Sequence, residues 1–547
     1  MNIARDQALE ALTTTDWDIV VIGGGITGAG ILLEACRRGY RALLVEQRDF
    51  AWGTSSRSSK LVHGGLRYLK EGQLRLTRDS VVERERLLRQ ARGLVYPQGF
   101  AFALYHGQPP GRRTMALGLA VYDRLAGQAR LKGLRHHYSP DEFLLLAPHI
   151  RTEGLQGGLC YQDAKTDDAR LVLRVLQEAQ TLDGVALNYL AVRQLLRAGD
   201  GAVCGVQVQD STTLGDTAPM WDVRARLVVN ATGAWADRLR AQQDAAPRLR
   251  PLRGSHLVLP AWRLPVAQAI SLMHPADGRP VFAFPWEGAT LVGTTDVDHR
   301  PPLEQEPRIT AQELRYLLAA LDHQFPALRI TRDDVIATYA GVRPVIDTGK
   351  ADPSQESRDH AVWLEQGLLT VTGGKLTTFE LIARDALDHV AAHLPTATPP
   401  VNAAAAWGCS QDLDRFAGAA LSEPQRQRLQ GRFGTQAGAV VLAAQPGELA
   451  TIPGTETLWV ELRWSARSEA VQHLDDLLLR RTRIGLLLRG GGVDHLERIR
   501  TLCQAELGWS DARWQQEEAG YRALWQSHYS LPQASTASQT SDTGERP

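Results

Sequence analysis

An α/β fold, doubly wound and Rossmann-like at its amino-terminal end, is predicted by three observations. A β-branched run enters a glycine-rich turn, an amphipathic helix leaves that turn, and buried strands of the same type return far downstream. The run DIVVI (residues 18–22) reads as a parallel strand covered on both faces. GGGITGAG follows, then ILLEACRRGY with apolar residues at helical spacing, then RALLVEQ as a second buried strand. Strand, helix and strand within about 30 residues make a βαβ crossover. RLVVNATG (226–233) and GLLTVTGG (367–374) repeat the strand type, so the domain is assembled from separated segments.

Between these segments the character changes. SHLVLP, VFAFPW and ATLVGTTD, within residues 240–345, carry the Pro and Gly punctuation of an antiparallel sheet. Residues 75–92 form a charged amphipathic helix. After PTATPPVN (395–402) the composition shifts to Ala, Leu, Gln and Arg, and helices such as SEAVQHLDDLLLRRTRIGLLL (468–488) dominate. The expected organisation is a core over 1–398, a helical C-terminal domain over 399–530, and a disordered Ser/Thr-rich tail over 531–547. Within the core, the nucleotide-binding domain takes about 16–74, 150–240 and 340–398. An antiparallel-sheet substrate domain takes about 75–149 and 241–339.

Composition narrows the function. Of 547 residues, 61 are Lys or Arg and 61 are Asp or Glu, a balance that disfavours a bulk electrostatic grip on nucleic acid. The five cysteines are scattered without a CxxC pair, so neither a disulfide scaffold nor a zinc site is expected, no metal is expected, and a reducing compartment is favoured. The first eighteen residues contain no apolar run, and no stretch reaches the ~18 apolar residues that cross a bilayer. A cytoplasmic protein is expected, with peripheral contact to the inner membrane face as an alternative. Residues 75–92 and GRRTMALGLAVYDRLAG (111–127) have the basic and apolar faces for anionic lipid, but they equally suit helices packed on the substrate domain. Arg480, Arg481 and Arg483 carry the same two readings.

Gly23-Gly24-Gly25-Ile26-Thr27-Gly28 matches the dinucleotide fingerprint GxGxxG in its required context. Gly23 permits the tight turn, Gly25 lets a pyrophosphate approach, and Gly28 lets helix and strand pack closely. The helix N-terminus offers N–H groups to the phosphates. Glu46, at about the 20-residue spacing, can accept from ribose hydroxyls. These features suit FAD and NAD alike. The small, hydroxyl-rich loop from Gly53 to Gly65 (GTSSRSSKLVHGG) suits an extended cofactor, and no second complete fingerprint exists.

GGGITGAG, SSRSSKLVHGGLRYL, NATGAW, RGSHLV, GVRPV, VTGGKLTT and ARSEAVQHLDDLLLRRTRIGLLL, in this order, resemble the FAD-dependent glycerol-3-phosphate dehydrogenases, within the wider glycine oxidase and D-amino acid oxidase class. The likeness runs from about Asp16 to about Ser530. Thr27 is a small departure where many relatives carry Asn. The resemblance implies FAD as cofactor and oxidation of sn-glycerol 3-phosphate to dihydroxyacetone phosphate, by hydride transfer from C2. It further implies a membrane quinone as acceptor, and a homodimer is expected. It carries cofactor contacts onto Gly23, Gly25, Ile26, Thr27 and Gly28, and onto Glu46 and Gln47. From the loop it adds Thr54, Ser55, Ser59, Lys60, Leu61, His63, Gly64 and Gly65. Ala231, Thr232 and Gly233 follow at the strand end, and Gly374, Lys375, Leu376 and Thr377 beside the flavin.

A dianionic substrate needs cations, and arginine presents a bidentate, permanently charged fork. Candidate substrate contacts are Arg67, Tyr68, His256, Arg343, Arg358 and Lys375. His256, Arg343 and Lys375 are the catalytic candidates. Arg343, between Gly341 and Pro344, is read as held by a rigid turn. His256 suits a general base because neutral imidazole accepts a proton near neutral pH. Alternatively, Arg343 polarises the hydroxyl and the proton leaves to solvent. Lys375 either places charge near the flavin or is a solvated residue at a capping turn; Leu369 and Leu376 exclude a Walker loop. An oxidase returning electrons to O₂, a flavin amine or amino-acid oxidase, and an FAD-containing binding protein without turnover remain as competing readings.

Overall fold

The computed structural model describes residues 5–533 apart from 71, 110, 126–135, 213–217, 351–355, 357, 402–406, 411–412, 414 and 416–419; the side chains of Arg67, Lys70 and Asp123 also lie outside the description. Two sheets organise the core. In the first, the strand Trp17–Ile22 is central, paired in parallel with Ala42–Val45 on one side and Met220–Asn230 on the other. The order runs His360–Glu365, Leu368–Gly373, Met220–Asn230, Trp17–Ile22, Ala42–Val45, Val185–Leu187. Burial on both faces explains the unbroken β-branched runs: every residue of Trp17–Ile22 and Ala42–Val45 is buried. The helices Ile26–Arg37, Asp168–Gln180 and Phe379–His389 cover one face, with Ile31, Val172 and Phe379 at its centre.

The second sheet has ten strands and is mainly antiparallel. Among the described residues its order is Val297–Asp298, Leu249–Pro260, Ala289–Gly293, Pro280–Trp286, Ala269–Met273, Val95–Tyr105, Leu155–Thr166, Leu61–Val62; Ala337–Ile346 pairs with the other edge of Leu249–Pro260 and His136–Tyr138 with Leu155–Thr166. Leu155–Thr166 and Ala337–Ile346 were expected in the nucleotide-binding domain by chain position. Their ladders, to Val95–Tyr105 and to Leu249–Pro260, belong instead to this sheet. Arg343 therefore sits within a strand, opposite Leu252, and not on a turn.

Beyond the core the chain is helical, with Glu423–Phe433, Trp459–Ser468, Leu496–Leu507 and Asp511–His528 among its helices. Residues 468–488 do not form one helix. The helix ends at Ser468, a wide π-type turn spans Asp476–Arg481, and Arg483 takes a left-handed conformation (φ 62°) before the short helix Ile484–Leu487. The Asp476 carboxylate accepts from the Gln472 and His473 N–H groups and fixes this break. Arg480, Arg481 and Arg483 are each 1% exposed and ion-paired, so the lipid-facing reading of that cluster is excluded. The charged helix near 75–92 spans Leu74–Gln90; Arg84 on it is buried against Asp163 and Glu85, whereas Arg75 is exposed. Among the described residues no helix is long and apolar enough to cross a membrane. Residues 534–547 of the expected tail lie outside the described residues.

Candidate active site

A cavity of about 1370 Å³ runs along the junction of the two sheets, from the glycine turn to the inner ends of the antiparallel strands. Gly23, Gly25, Ile26 and Thr27 form one wall near Glu46 and Gln47. The three expected glycine roles separate cleanly. Gly23 has φ 113°, and a Cβ there would lie 2.5 Å from the Ala231 carbonyl oxygen. A Cβ on Gly28 would lie 1.9 Å from the Gly23 carbonyl oxygen, so Gly28 serves backbone packing and does not itself line the cavity. At Gly25 the conformation is ordinary and the nearest protein atom, Ser55 Oγ, is 3.1 Å from such a Cβ. The protein constrains that position far less than Gly23 or Gly28, and the space over the turn is left for a molecule to approach.

Glu46 accepts from the Gly24 N–H through Oε2 (2.7 Å) and from the Arg48 N–H through Oε1 (2.9 Å). Burial pushes its carboxyl pKa up against those two hydrogen bonds. Its side chain is thereby oriented on the cavity wall as an acceptor. Ser55 Oγ accepts from Ile26 N–H (2.9 Å) and ties the hydroxyl-rich loop to the helix start. Thr54, Ser55, Ser59, Leu61, His63 and Gly65 reach the cavity, as do Ala231, Thr232, Gly233, Gly374, Leu376 and Thr377.

Besides Gly28, two expected cofactor contacts lie elsewhere. The Lys60 ammonium is buried away from the cavity, donating to Asp168 Oδ1 and the Ser56 carbonyl, both at 2.9 Å, with the Tyr339 and Trp286 rings beside it. Gly64 is packed beneath the wall: its N–H donates to Asp163, and a Cβ would strike Val81 and the Tyr122 hydroxyl.

The other end of the cavity is cationic. Asp296, almost fully buried, holds Arg343 Nη1 at 2.9 Å, Arg358 Nη2 at 2.7 Å and Arg279 Nη2 at 3.5 Å. Thr294 Oγ1 accepts from Arg343 Nη2 at 3.0 Å. One carboxylate thus fans three guanidinium groups around the cavity, leaving an excess of positive charge for an anion. Arg279 and Asp296 carry no sequence signal, because each gains meaning only when the strand ends meet. Lys375 lies on the same cavity. Gly373 and Gly374 before it are both left-handed (φ 76° and 72°), and its Nζ donates to Ser80 Oγ at 2.7 Å over the Tyr68 ring. It is therefore not a solvated lysine, and burial pulls its pKa down to about 7.

The two histidines differ. His256 is 1% exposed and stacks on Tyr339; its Nε2 lies 2.9 Å from Ser59 Oγ, while its Nδ1 has no hydrogen-bond partner among the described residues. The imidazole is not on the cavity wall, so the expected base reaches the cavity only through Ser59. Burial, then the Arg343 and Lys60 charges, hold it neutral. His63 does line the cavity, and burial pulls its pKa down to about 4. The side chain of Arg67 lies outside the described residues.

A family model described as FAD dependent oxidoreductase matches residues 18–380, and one described as the C-terminal domain of alpha-glycerophosphate oxidase matches residues 392–514. This chain belongs to the FAD-dependent oxidoreductases. An aerobic glycerol-3-phosphate dehydrogenase of Staphylococcus aureus is 34% identical over 499 residues, 87% of this chain and 88% of the relative. Within the FAD-dependent oxidoreductases, the chain thus belongs with the aerobic glycerol-3-phosphate dehydrogenases. A solved glycerol-3-phosphate dehydrogenase from Bacillus halodurans, complexed with FAD, superposes with a TM-score of 0.75 at 28% identity, covering 95% of this chain and 97% of that one. An L-alpha-glycerophosphate oxidase from Mycoplasma pneumoniae shares the fold at TM-score 0.56 and 19% identity, over 71% of this chain and 98% of that one. FAD is the cofactor of this flavoprotein. The residues present fit it: the unfilled cradle at Gly25, the helix start and the Glu46 acceptor suit its ADP half.

Proposed function

We propose that the protein oxidises sn-glycerol 3-phosphate to dihydroxyacetone phosphate, with a quinone as the final electron acceptor. The observation that carries this reading is the Asp296-centred fan of Arg343, Arg358 and Arg279, which shares one cavity with the glycine turn. A phosphate dianion matches that excess charge. An amino acid zwitterion would strand part of it, which disfavours the amino-acid oxidase reading.

When bound, FAD supplies the acceptor for the hydride leaving C2. The chain's own residues do the rest. Arg343, Arg358 and Arg279 bind and orient the phosphate, and Lys375 adds a fourth cation whose position is set by Ser80 and Tyr68. The C2 hydroxyl proton passes to a ring nitrogen of His63, the neutral imidazole on the cavity wall. Ser59 orients the substrate hydroxyl, with His256 fixing the Ser59 Oγ from behind.

A quinone acceptor is supported by the apolar rim of the cavity. Leu66, Leu69, Met115, Leu117 and Val121 line it there, and Leu117 is 68% exposed. The same rim suits peripheral contact with a membrane surface, where such an acceptor is dissolved.

The deciding experiment is an anaerobic stopped-flow trace of flavin absorbance with glycerol 3-phosphate, lactate and D-alanine. Bleaching by glycerol 3-phosphate alone is expected. Bleaching by D-alanine at comparable rate would move the protein to the amino-acid oxidases. Fast peroxide release in air, against slow reoxidation by a ubiquinone analogue, would make it an oxidase.

A further inference from the structure

The segment HLDDLLLRRTRIG contributes nothing to the cavity, yet its arginines are among the most deeply buried charges in the molecule. They converge on the loop Asp49–Lys60, whose other face lines the cavity. Asp49, fully buried, takes both Arg481 Nη1 (2.6 Å) and Nη2 (2.8 Å), together with Arg480 Nε. Arg483 Nε donates to Asp167 at 2.9 Å, its Nη2 donates to Asp168, and its Nη1 reaches the Ser56 carbonyl at 3.3 Å. Asp168 in turn accepts from Ser58 N–H (3.0 Å), Ser58 Oγ (2.7 Å) and Lys60 Nζ (2.9 Å). A third contact comes from the chain end: Tyr529 and Arg57 share the Glu306 carboxylate.

The loop is thus held between two surfaces. Inward, Trp52, Gly53, Thr54, Ser55, Arg57, Ser58 and Ser59 line the cavity. On the side away from the cavity, Asp49 is matched by Arg480 and Arg481, Ser58 and Lys60 are matched by Arg483 through Asp168, and the Arg57 guanidinium, from a residue that also lines the cavity, meets Tyr529 and Glu306. Asp49 and Asp168 are buried, so losing one arginine leaves a buried carboxylate with fewer compensating donors (Arg480 or Arg481 and Asn188 on Asp49, Lys60 and Ser58 on Asp168) and favours opening of the loop.

We infer that the C-terminal helical unit braces the cofactor loop, and that Arg480, Arg481 and Arg483 are positioning residues for FAD retention. The inference rests on the reading that this loop lines the flavin. It gives the buried arginines a task at the cofactor, which they reach only through Asp49, Asp167 and Asp168.

The test uses the full-length holoenzyme and follows FAD release by recovery of flavin fluorescence, at a temperature where far-UV circular dichroism is unchanged. Arg481→Gln and Arg483→Gln should each release FAD about tenfold faster or more, and Arg481→Lys should fall between these and the parent. Arg463→Gln is the control. It breaks pairs to Glu448 and Glu506 within the C-terminal unit, neither of them a partner of the loop, and should lower Tm without changing FAD release. Unchanged release in Arg483→Gln, or equal acceleration in Arg463→Gln, overturns the inference. Should the glutamine variants not fold, Arg481→Lys carries the test alone, because it keeps the charge and loses the two-pronged contact; parent-like release then overturns it.

Hydrogen exchange at residues 50–60 of the parent, with and without FAD, separates the two ideas. If FAD does not slow exchange there, the loop is not the flavin's and the underlying reading fails. If FAD slows exchange but the variants retain FAD, only the brace fails.

Discussion

Ser59 Oγ lies 2.9 Å from His256 Nε2, with the hydroxyl on the cavity wall and the imidazole behind it. The contact links the histidine read as a base to the cavity through a serine hydroxyl. His63, drawn from a loop read as cofactor-binding, lines the cavity itself, and in the proposed mechanism it, not His256, takes the substrate proton.

That division is measurable. His63→Asn should slow anaerobic flavin reduction by ~10²-fold or more, as expected for loss of a positioned base. His256→Asn should cost about tenfold, close to the effect of Ser59→Ala, because both disturb one contact. A double variant of His256 and Ser59 should be little slower than either single one. A His256 variant slower than the His63 variant would return the base to His256.

Asp296 offers a test in which simple charge counting and geometry disagree. Removing its charge makes the pocket more positive, so counting alone predicts tighter phosphate binding. Asp296→Asn instead unpins Arg343, Arg358 and Arg279 and should raise KM about tenfold or more. Arg343→Ala should raise KM further and depress flavin reduction. A lower KM in Asp296→Asn would show that Asp296 merely dilutes the positive field.

Lys375 sets an alkaline limit. Burial holds its pKa down at about 7, against upward pulls from Asp359 and Asp163. The free enzyme therefore loses this ammonium as pH rises through 7. The substrate phosphate, with a second pKa near ~6, is already a dianion there. kcat/KM should fall from pH 7 to pH 9, and Lys375→Arg should flatten the fall because guanidinium stays charged. An Arg variant with the parent's alkaline limb would assign the titration to another group.

Gly25→Val separates cofactor binding from folding. On the protein side a Cβ there meets only Ser55 Oγ, at a tight 3.1 Å that this side chain must ease by a few tenths of an ångström, so the apoprotein should still fold with at most a small loss of Tm. FAD loading should be lost, because the new side chain occupies the space over the turn. Gly28→Val, which would drive a side chain into the Gly23 carbonyl, should instead reduce soluble yield. A fully yellow Gly25→Val protein would remove the phosphates from this turn.

These contrasts show where the sequence was readable. Gly23 to Gly28, Glu46 and the strand runs around them were legible because their constraints are local: a tight turn, a strand buried on both faces, an acceptor at a fixed spacing. Lys60 misled for the opposite reason. It sits among cofactor-lining neighbours, but a positive φ of 56° and the Asp168 carboxylate turn its side chain inward. HLDDLLLRRTRIG was recognisable as a family signature, yet its helical pattern concealed a π-type turn carrying Arg480 and Arg481, followed by a left-handed Arg483, with all three side chains buried in ion pairs.

By itself, then, the sequence determined the nucleotide half of the site and the kind of chemistry to look for, since short-range backbone geometry encodes both. Tertiary structure decided which cations meet. Arg279, Asp296, Arg343 and Arg358 come from separate stretches of chain and acquire a shared charge balance only when the strand ends converge. It also decided which histidine faces the cavity, because burial and pairing depend on what the rest of the chain places nearby, and no local pattern records that.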